Sequence, residues 1–324
     1  MFSLKMLEDS GYMARASFLM DRFMSKIGLH GGSILPLMSG YACAIPGIMA
    51  TRTIDNWKER LITILILPLM SCSARLPVYT LMISAFIPNT IIFGMFGLQG
   101  ITMVIMYFLG TVTAMLIALV ISRFIDDAGN NSFIMELPPY RIPLARSVFY
   151  QLYIRGKLFI LNAGRIIMAI SIILWFLASF PNQDNKGQSV NINESYVGRI
   201  GHAIEPLIAP LGFDWKIGVG LITSFAAREV VVSTLATLYN VEDTQDGMIG
   251  LSEALQNDIN PLTGKPRYTP LVALSIMVFF VYAAQCMATF AIVKSETNSW
   301  KWPASMIIYM TILAYLGSLV VYQG

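Results

Sequence analysis

Apolar residues in this chain run in long blocks without a charge. Ile27–Thr51, Leu61–Ala74, Leu76–Ser122, Ile166–Gln183, Tyr268–Val293 and Trp302–Gly324 contain no Asp, Glu, Lys or Arg. Each is long enough, or nearly so, to cross a hydrocarbon core of about 30 Å, which takes about 20 helical residues. Leu76–Ser122 is too long for one crossing. It must turn, and Pro88-Asn89 with Gly94, Gly97 and Gly100 mark the place. The pattern predicts an all-α, polytopic transmembrane protein. Arg146–Asn162 has apolar residues at helical spacing with Arg155 and Lys157 between them, and reads as a helix lying on the inner membrane surface. Glu8–Ile27 is a second candidate of that kind.

Composition narrows the classes. Of 324 residues, 56% are hydrophobic and 13% charged, with a mean hydropathy of +0.63. Soluble domains carry about 25% charged residues, so this surface cannot be that of a soluble globule. A net charge of +3 gives no reason to expect a nucleic-acid partner. Three cysteines cannot form a paired framework. No GxxxxGK[ST], GxSxG, HExxH or CxxC occurs, so neither a phosphate-cradling loop nor a hydrolytic centre is expected, and no enzyme activity.

The few charges map topology. Arg52, Lys58 and Arg60 precede one apolar block; Arg123, Arg141, Arg146, Arg155 and Lys157 follow the next. The turn between them has no charge, so both basic loops belong inside and the turn outside. Asn182–Ser195 then falls outside, while the side of Glu242–Arg267 stays open. Met1–Leu7 has no basic n-region or cleavage site and reads as the tail of a helix, as expected of a piece of a longer chain.

Some apolar blocks contain residues that a lipid-facing helix avoids. Gly40–Gly47 holds two glycines, Cys43 and Pro46; Pro68–Pro77 holds two prolines, Cys72 and Arg75. Proline removes an amide donor and frees the carbonyl four residues back. Irregular backbone at membrane depth is tolerated only inside protein or along a watery cavity, and broken helices are how many transporters build ion sites. A kinked packing helix is the plainer alternative. Ile217–Val241 carries Arg228-Glu229 near its middle, a charged pair that marks function or locks packing. A shift of 184 residues aligns Gly28-Leu29 with Gly212-Phe213, Leu37–Ser39 with Leu221–Thr223 and Tyr41-Ala42 with Phe225-Ala226, which hints at duplicated halves. Cys43, Cys72 and Cys286 all lie inside apolar blocks. A thiolate binds borderline metals such as ferrous iron, although free cysteine also serves as a small buried hydrophobe. Met38, Met49 and Met70 lie near the breaks; His30 and His202 lack ligand spacing and read as interfacial.

These segments resemble the membrane part of the ferrous iron transport protein B family. The resemblance rests on Leu7–Arg15 (LEDSGYMAR), Gly40–Thr53 (GYACAIPGIMATRT), Pro68–Tyr79 (PLMSCSARLPVY), Met135–Pro143 (MELPPYRIP) and Ala227–Val232 (AREVVV), in that order. It implies two Gate-type repeats with broken or re-entrant helices. It implies a bacterial inner-membrane Fe²⁺ importer, with Cys43, Cys72 and Cys286 as pore thiols and Glu229 as the acidic residue of the second Gate. Pro46 and Pro77 would free carbonyls, and Arg75 and Arg228 would hold geometry or helix ends. Ala44 stands where the family often has asparagine, which removes one oxygen ligand. The resemblance further implies an N-terminal GTP-binding domain, with its GTP and Mg²⁺, outside this chain. It implies a small accessory protein, a homo-oligomer and the lipid bilayer as partners. The expected layout is 1–60 interfacial helix and first Gate segment, 61–125 transmembrane helices, and 126–165 cytoplasmic loop and interfacial helix. It continues with 166–181 a transmembrane helix, 182–241 outer loop and second Gate segment, 242–269 polar loop, and 270–324 two transmembrane helices. The rivals are a Gate-type carrier of another, nucleoside-like solute and a non-conducting membrane scaffold.

Overall fold

The structure is a computed structural model. It describes residues 10–29, 31–92, 96–124, scattered positions between 150 and 176, 196–225, 228–239, 247–259 and 266–324. Met1–Leu7, Met135–Pro143, Asn182–Ser195, His30, Ala227 and most of the expected Arg146–Asn162 helix and Ile166–Gln183 span lie outside the described residues.

The described residues form helices and turns apart from a two-residue antiparallel pairing, β1 (Ile91–Ile92) with β2 (Phe96–Gly97), and an isolated antiparallel bridge between Ile259 and Pro266. That pairing is the predicted turn in the Leu76–Ser122 block. Four helical stretches among the described residues are long and apolar enough to cross a membrane: Trp57–Phe86, Leu98–Phe124, Pro270–Thr297 and Lys301–Gln323. Two of them are broken. Trp57–Phe86 consists of α4 (Trp57–Ile66), 3-10 turns at Leu67–Leu69 and Ser73–Arg75, and α5 (Leu76–Phe86). Pro270–Thr297 consists of α11 (Pro270–Tyr282) and α12 (Met287–Thr297), separated at Ala283–Cys286. In the most apolar part of each broken stretch 72% is buried, against 22% in the unbroken α6 (Leu98–Phe124) and α13 (Lys301–Gln323). The broken stretches are thus largely covered by protein, whereas the breaks themselves open at Ser73 and Met287, which are exposed.

The Ile27–Thr51 block does not form a crossing helix. It forms α2 (Ile34–Ala42) and α3 (Ala44–Ala50), of nine and seven residues. At 1.5 Å per residue these rise only about 14 and 10 Å. A Cβ on Gly47 would lie 3.0 Å from Pro36 O and 3.3 Å from Gly40 N, so α3 folds back alongside α2. The block is a helical hairpin. Ile217–Val241 gives its counterpart, α8 (Trp215–Thr223) and α9 (Val230–Leu238), linked by Thr234 Oγ1 donating to Thr223 Oγ1 at 3.0 Å.

The faint repeat is plain in the backbone. α1 (Tyr12–Met24) and α7 (Tyr196–Ile208) have the same length; Tyr12 and Tyr196, Met24 and Ile208, and Gly28 and Gly212 are each 184 positions apart. Both helices pass into a 3-10 turn that ends on a glycine with positive φ, +78° at Gly28 and +80° at Gly212. Gly28 N bonds Ser25 O and Leu29 N bonds Met24 O; Gly212 N bonds Ala209 O and Phe213 N bonds Ile208 O. This paired 5→2 and 6→1 closure is the Schellman motif, which favours glycine because an L side chain strains at positive φ.

The chain divides into two compact units. One comprises Met1–Ser73, Phe108–Arg165 and Ala288–Met306, and the other comprises Ala74–Tyr107, Ile166–Met287 and Ile307–Gly324. In the first, Gly28 packs on Ser122 near the end of α6, and Glu296 of α12 is held by Arg52 and Arg60. In the second, Gly212 packs on Tyr322 near the end of α13. There the Ser275 and Ser318 hydroxyls, buried on α11 and α13, share a 2.5 Å hydrogen bond. The polar Glu242–Arg267 segment contains α10 (Gly247–Gln256), whose Gln256 side chain donates to Ala85 O of α5.

Candidate functional site at the helix breaks

In the first unit, the break of the hairpin is Cys43. Its extended backbone (φ −161°, ψ 136°) both ends α2 and opens α3. Pro46 sits in the first turn of α3, where a missing N–H costs little. The kink thus centres on Cys43 rather than on the proline. Lacking that N–H, Pro46 leaves Ala42 O without its helical donor, and Ser73 Oγ donates to that carbonyl at 2.9 Å. That carbonyl, expected to be an oxygen ligand, accepts this hydrogen bond on one of its two lone pairs. The same bond joins the two breaks of this unit, because Ser73 follows Cys72 and Ala42 precedes Cys43. Both cysteines are half-buried. Gly40 presses on Leu67, and a Cβ there would meet Met70 Cβ at 3.7 Å, so the hairpin packs along the start of the broken stretch as well. Ser71, fully buried, has no hydrogen-bond partner for its hydroxyl.

The second unit repeats this juxtaposition with different chemistry. Arg228, 5% exposed, donates from Nη2 to Ala283 O at 3.1 Å. Ala283 caps α11, so the arginine holds a helix end. Met287 N donates to Phe225 O at 3.4 Å. The tip of the second hairpin is thus bound to both sides of the Ala283–Cys286 break, and Cys286 is half-buried there. Arg228 and Glu229 make no ion pair with each other. The guanidinium turns inward to a carbonyl and Glu229, which precedes α9, is exposed. Arg75 and Pro77 also belong to this unit: Arg75 is fully buried, and Pro77 lies in the first turn of α5.

Of the residues singled out in the sequence, the structure brings together the Cys43 and Cys72 breaks in one unit. In the other it joins Arg228 to the segment holding Cys286. Among the described residues no cluster of three or more His, Cys, Asp or Glu side chains could hold a metal ion.

Sequence reasoning missed Ser73, Gln285 and Glu296. Ser73 was legible in principle, as a hydroxyl beside Cys72 in a broken block. Glu296 was not, since its partners lie more than 200 residues away. Its carboxylate, 5% exposed, accepts from Arg52 Nε at 3.0 Å, Arg52 Nη2 at 2.5 Å and Arg60 Nη2 at 2.6 Å. The hydrogen bond and charge of Glu296 raise the Arg52 pKa above its usual value. A second polar network lies at the other end of α11. Asp214 accepts from Arg267 Nη1 and Tyr268 OH, and Asp258 accepts from Lys216 Nζ and Tyr239 OH. Burial pushes the Asp258 pKa up, but the hydrogen bonds from Tyr239 and Lys216 outweigh it and hold the group below the usual carboxylate range.

The Gate family model, described as nucleoside recognition, matches residues 1–86 and 160–300, and the model of the ferrous iron transport protein B C terminus matches 103–155. The chain is 48% identical over 319 residues to the Fe(2+) transporter FeoB of Leptospira biflexa, covering 98% of this chain and 46% of that one. It is 38% identical to the Fe(2+) transporter FeoB of Staphylococcus aureus, over 99% of this chain and 45% of the relative. It is also 38% identical to a Fe(2+) transport protein A/Fe(2+) transporter FeoB fusion protein of Porphyromonas gingivalis, over 99% and 41%. The chain spans less than half the length of these relatives. No solved structure matches.

Proposed function

The chain belongs to the Gate family and, within it, to the ferrous iron transport protein B group of multi-pass membrane proteins, and from that premise we propose that it is the permeation part of a bacterial inner-membrane Fe²⁺ importer. The observation that carries the reading is the Ser73–Ala42 bond, which puts the Cys43 and Cys72 breaks side by side. In this reading the two thiols give an entering Fe²⁺ sulfur donors at half-buried positions, and deprotonation by the metal strengthens them. Cys286 offers a third thiol at the break of the second repeat, and Glu229 supplies negative charge. Arg228 holds the end of α11. Arg75 and Pro77 fix the start of α5, and Pro46 that of α3.

Sidedness follows from the charges. The basic Arg52–Arg60 segment lies inside by the positive-inside rule. Glu296 is bonded to Arg52 and Arg60, so the end of Pro270–Thr297 is inside too. Arg267 and Tyr268, at its beginning, are then outside. Through Asp214 they carry Gly212 with them.

GTP and Mg²⁺ binding belong, in this proposal, to a domain of the full-length protein outside these residues. A small accessory protein fits the fusion found in the Porphyromonas relative. A homo-oligomer is also part of the proposal, and catalysis is not assigned to these residues. The test is whole-cell Fe²⁺ uptake by the full-length protein. Uptake should fall sharply in a folded Cys43→Ser/Cys72→Ser variant, and uptake at the wild-type rate would end the thiol reading.

The description of the Gate model as nucleoside recognition favours a second reading, a nucleoside-like solute. That solute would raise the melting temperature of the purified protein where Fe²⁺ does not. A non-conducting scaffold, the remaining rival, would tolerate apolar replacements at Arg228 and Glu229 and would itself give no Fe²⁺ uptake.

A further inference from the structure

Arg228 presents a problem of charge. Its side chain is 5% exposed, and only Nη2 has a partner, the carbonyl of Ala283. Nε and Nη1 are buried without any. A guanidinium is always charged and carries five donors. Burying it against one carbonyl leaves both the charge and most of those donors uncompensated. Its neighbour Glu229 is exposed and does not pair with it.

Two further features of the same unit have the same sign. Gln285 lies two residues beyond Ala283, is 2% exposed, and has no partner for Oε1. The oxygen and nitrogen of such an amide are assigned from surrounding hydrogen bonds; turned by half a rotation, it presents an NH₂ instead. In addition, α9 begins two residues after Arg228, and Glu229 at its N-cap makes no side-chain capping bond. The first-turn amides of α9 therefore add positive potential. Among the described residues donors exceed acceptors at this junction, and no carboxylate bonds the guanidinium. Phe225, Glu229 and Cys286 around it are each partly or fully exposed, which leaves a way in.

We propose that Arg228 and Gln285, with the first turn of α9, bind a small monovalent inorganic anion of the halide class at the junction of the second hairpin and the Ala283–Cys286 break. One negative charge cancels one guanidinium, and the near-complete burial of both side chains favours a small, weakly hydrated ion over an oxyacid. The site needs no assumption about what the protein carries. If a cation passes Cys286, one residue from Gln285, the anion also removes the repulsion that Arg228 would exert on it.

The test uses purified full-length protein in detergent, with melting followed by intrinsic tryptophan fluorescence. Chloride is titrated against gluconate at constant ionic strength. A saturable rise is expected, about 3 °C at ten times the half-saturating concentration, and Arg228→Gln should abolish it. Crystals of the wild type grown in bromide should show an anomalous peak within hydrogen-bonding reach of Arg228 Nε or Nη1. The proposal is overturned by a wild-type melting temperature equal in chloride and gluconate, by a folded Arg228→Gln that keeps the rise, or by the absence of the bromide peak. Should Arg228→Gln fail to fold, the two wild-type measurements decide.

Discussion

The Glu296 clasp can be dissected by substituting its three members one at a time. The carboxylate side chain is 5% exposed, whereas Arg60 is 21% exposed and Arg52 61%. A hydrogen bond to a charged group is worth about 1.5–3 kcal/mol when buried, and an exposed ion pair about 0–1 kcal/mol. Arg52→Met should therefore cost no more than about 1 kcal/mol, because water replaces the lost partner and Glu296 keeps Arg60. Arg60→Met retains an apolar stem but leaves a buried carboxylate facing only the exposed Arg52, at about 2–3 kcal/mol. Part of that loss belongs to Arg60 stacking over Trp57 at 5.7 Å. Glu296→Gln isolates the charge and should fall between the two, at about 1–2 kcal/mol. For a chain of this length each kcal/mol is worth about 2 °C of melting temperature. The assay is thermal melting of the full-length protein in detergent at 50 mM and 500 mM salt. The Arg52 effect should shrink at high salt and the Arg60 effect persist, since buried pairs are screened less. An Arg52→Met variant as unstable as Arg60→Met would refute the reasoning, because it would mean that exposure does not grade the clasp.

Three other outcomes are expected. Gly212→Ala must place a Cβ 2.5 Å from Tyr322 Cε2 at a φ of +80°, and should lower stability by about 2–4 kcal/mol, visible as lost yield of folded protein. Asp258 has a depressed pKa in the folded state, so its contribution is complete above the unfolded value of about 3.9 and is lost as pH falls through the lower folded value. Melting temperature should therefore drop steeply below about pH 4, and Asp258→Asn should flatten that part of the curve. Ser73→Ala removes the donor to Ala42 O at an exposed position; stability should change by at most about 1 kcal/mol while Fe²⁺ uptake falls.

Much of the architecture was legible because the membrane imposes period and length. Four charge-free blocks, Leu61–Ala74, Leu76–Ser122, Tyr268–Val293 and Trp302–Gly324, coincide with the long apolar helical stretches, the first two sharing the stretch Trp57–Phe86, and the Pro88–Gly100 turn appears as β1 and β2 between two helices. The repeat offset was legible to the residue, since Gly28 and Gly212 occupy a backbone conformation that few other residues accept. The hairpins were harder. Ile27–Thr51 has the apolar length of a crossing helix, and nothing in its composition says that it doubles back at Cys43. Folding back depends on Gly40 and Gly47 allowing close approach, which is a matter of packing rather than propensity. Arg228-Glu229 invited the reading of a pair because the two are adjacent. Both lie in the turn before α9, where the Arg228 side chain turns inward to Ala283 O and Glu229 is exposed.

The sequence by itself determined the class: a charge-poor, helical, multi-pass membrane protein with two related halves and cysteines at its breaks. It did so because transfer of charge into lipid and loss of backbone donors are penalties readable from residue type alone. Only the tertiary structure decided which breaks meet. It gave the carbonyl freed by Pro46 to Ser73, set Arg228 against Ala283, and closed Arg52 and Arg60 on Glu296. Those contacts join residues from about 30 to more than 200 positions apart, where side-chain reach and burial choose the partner and local pattern carries no trace of it.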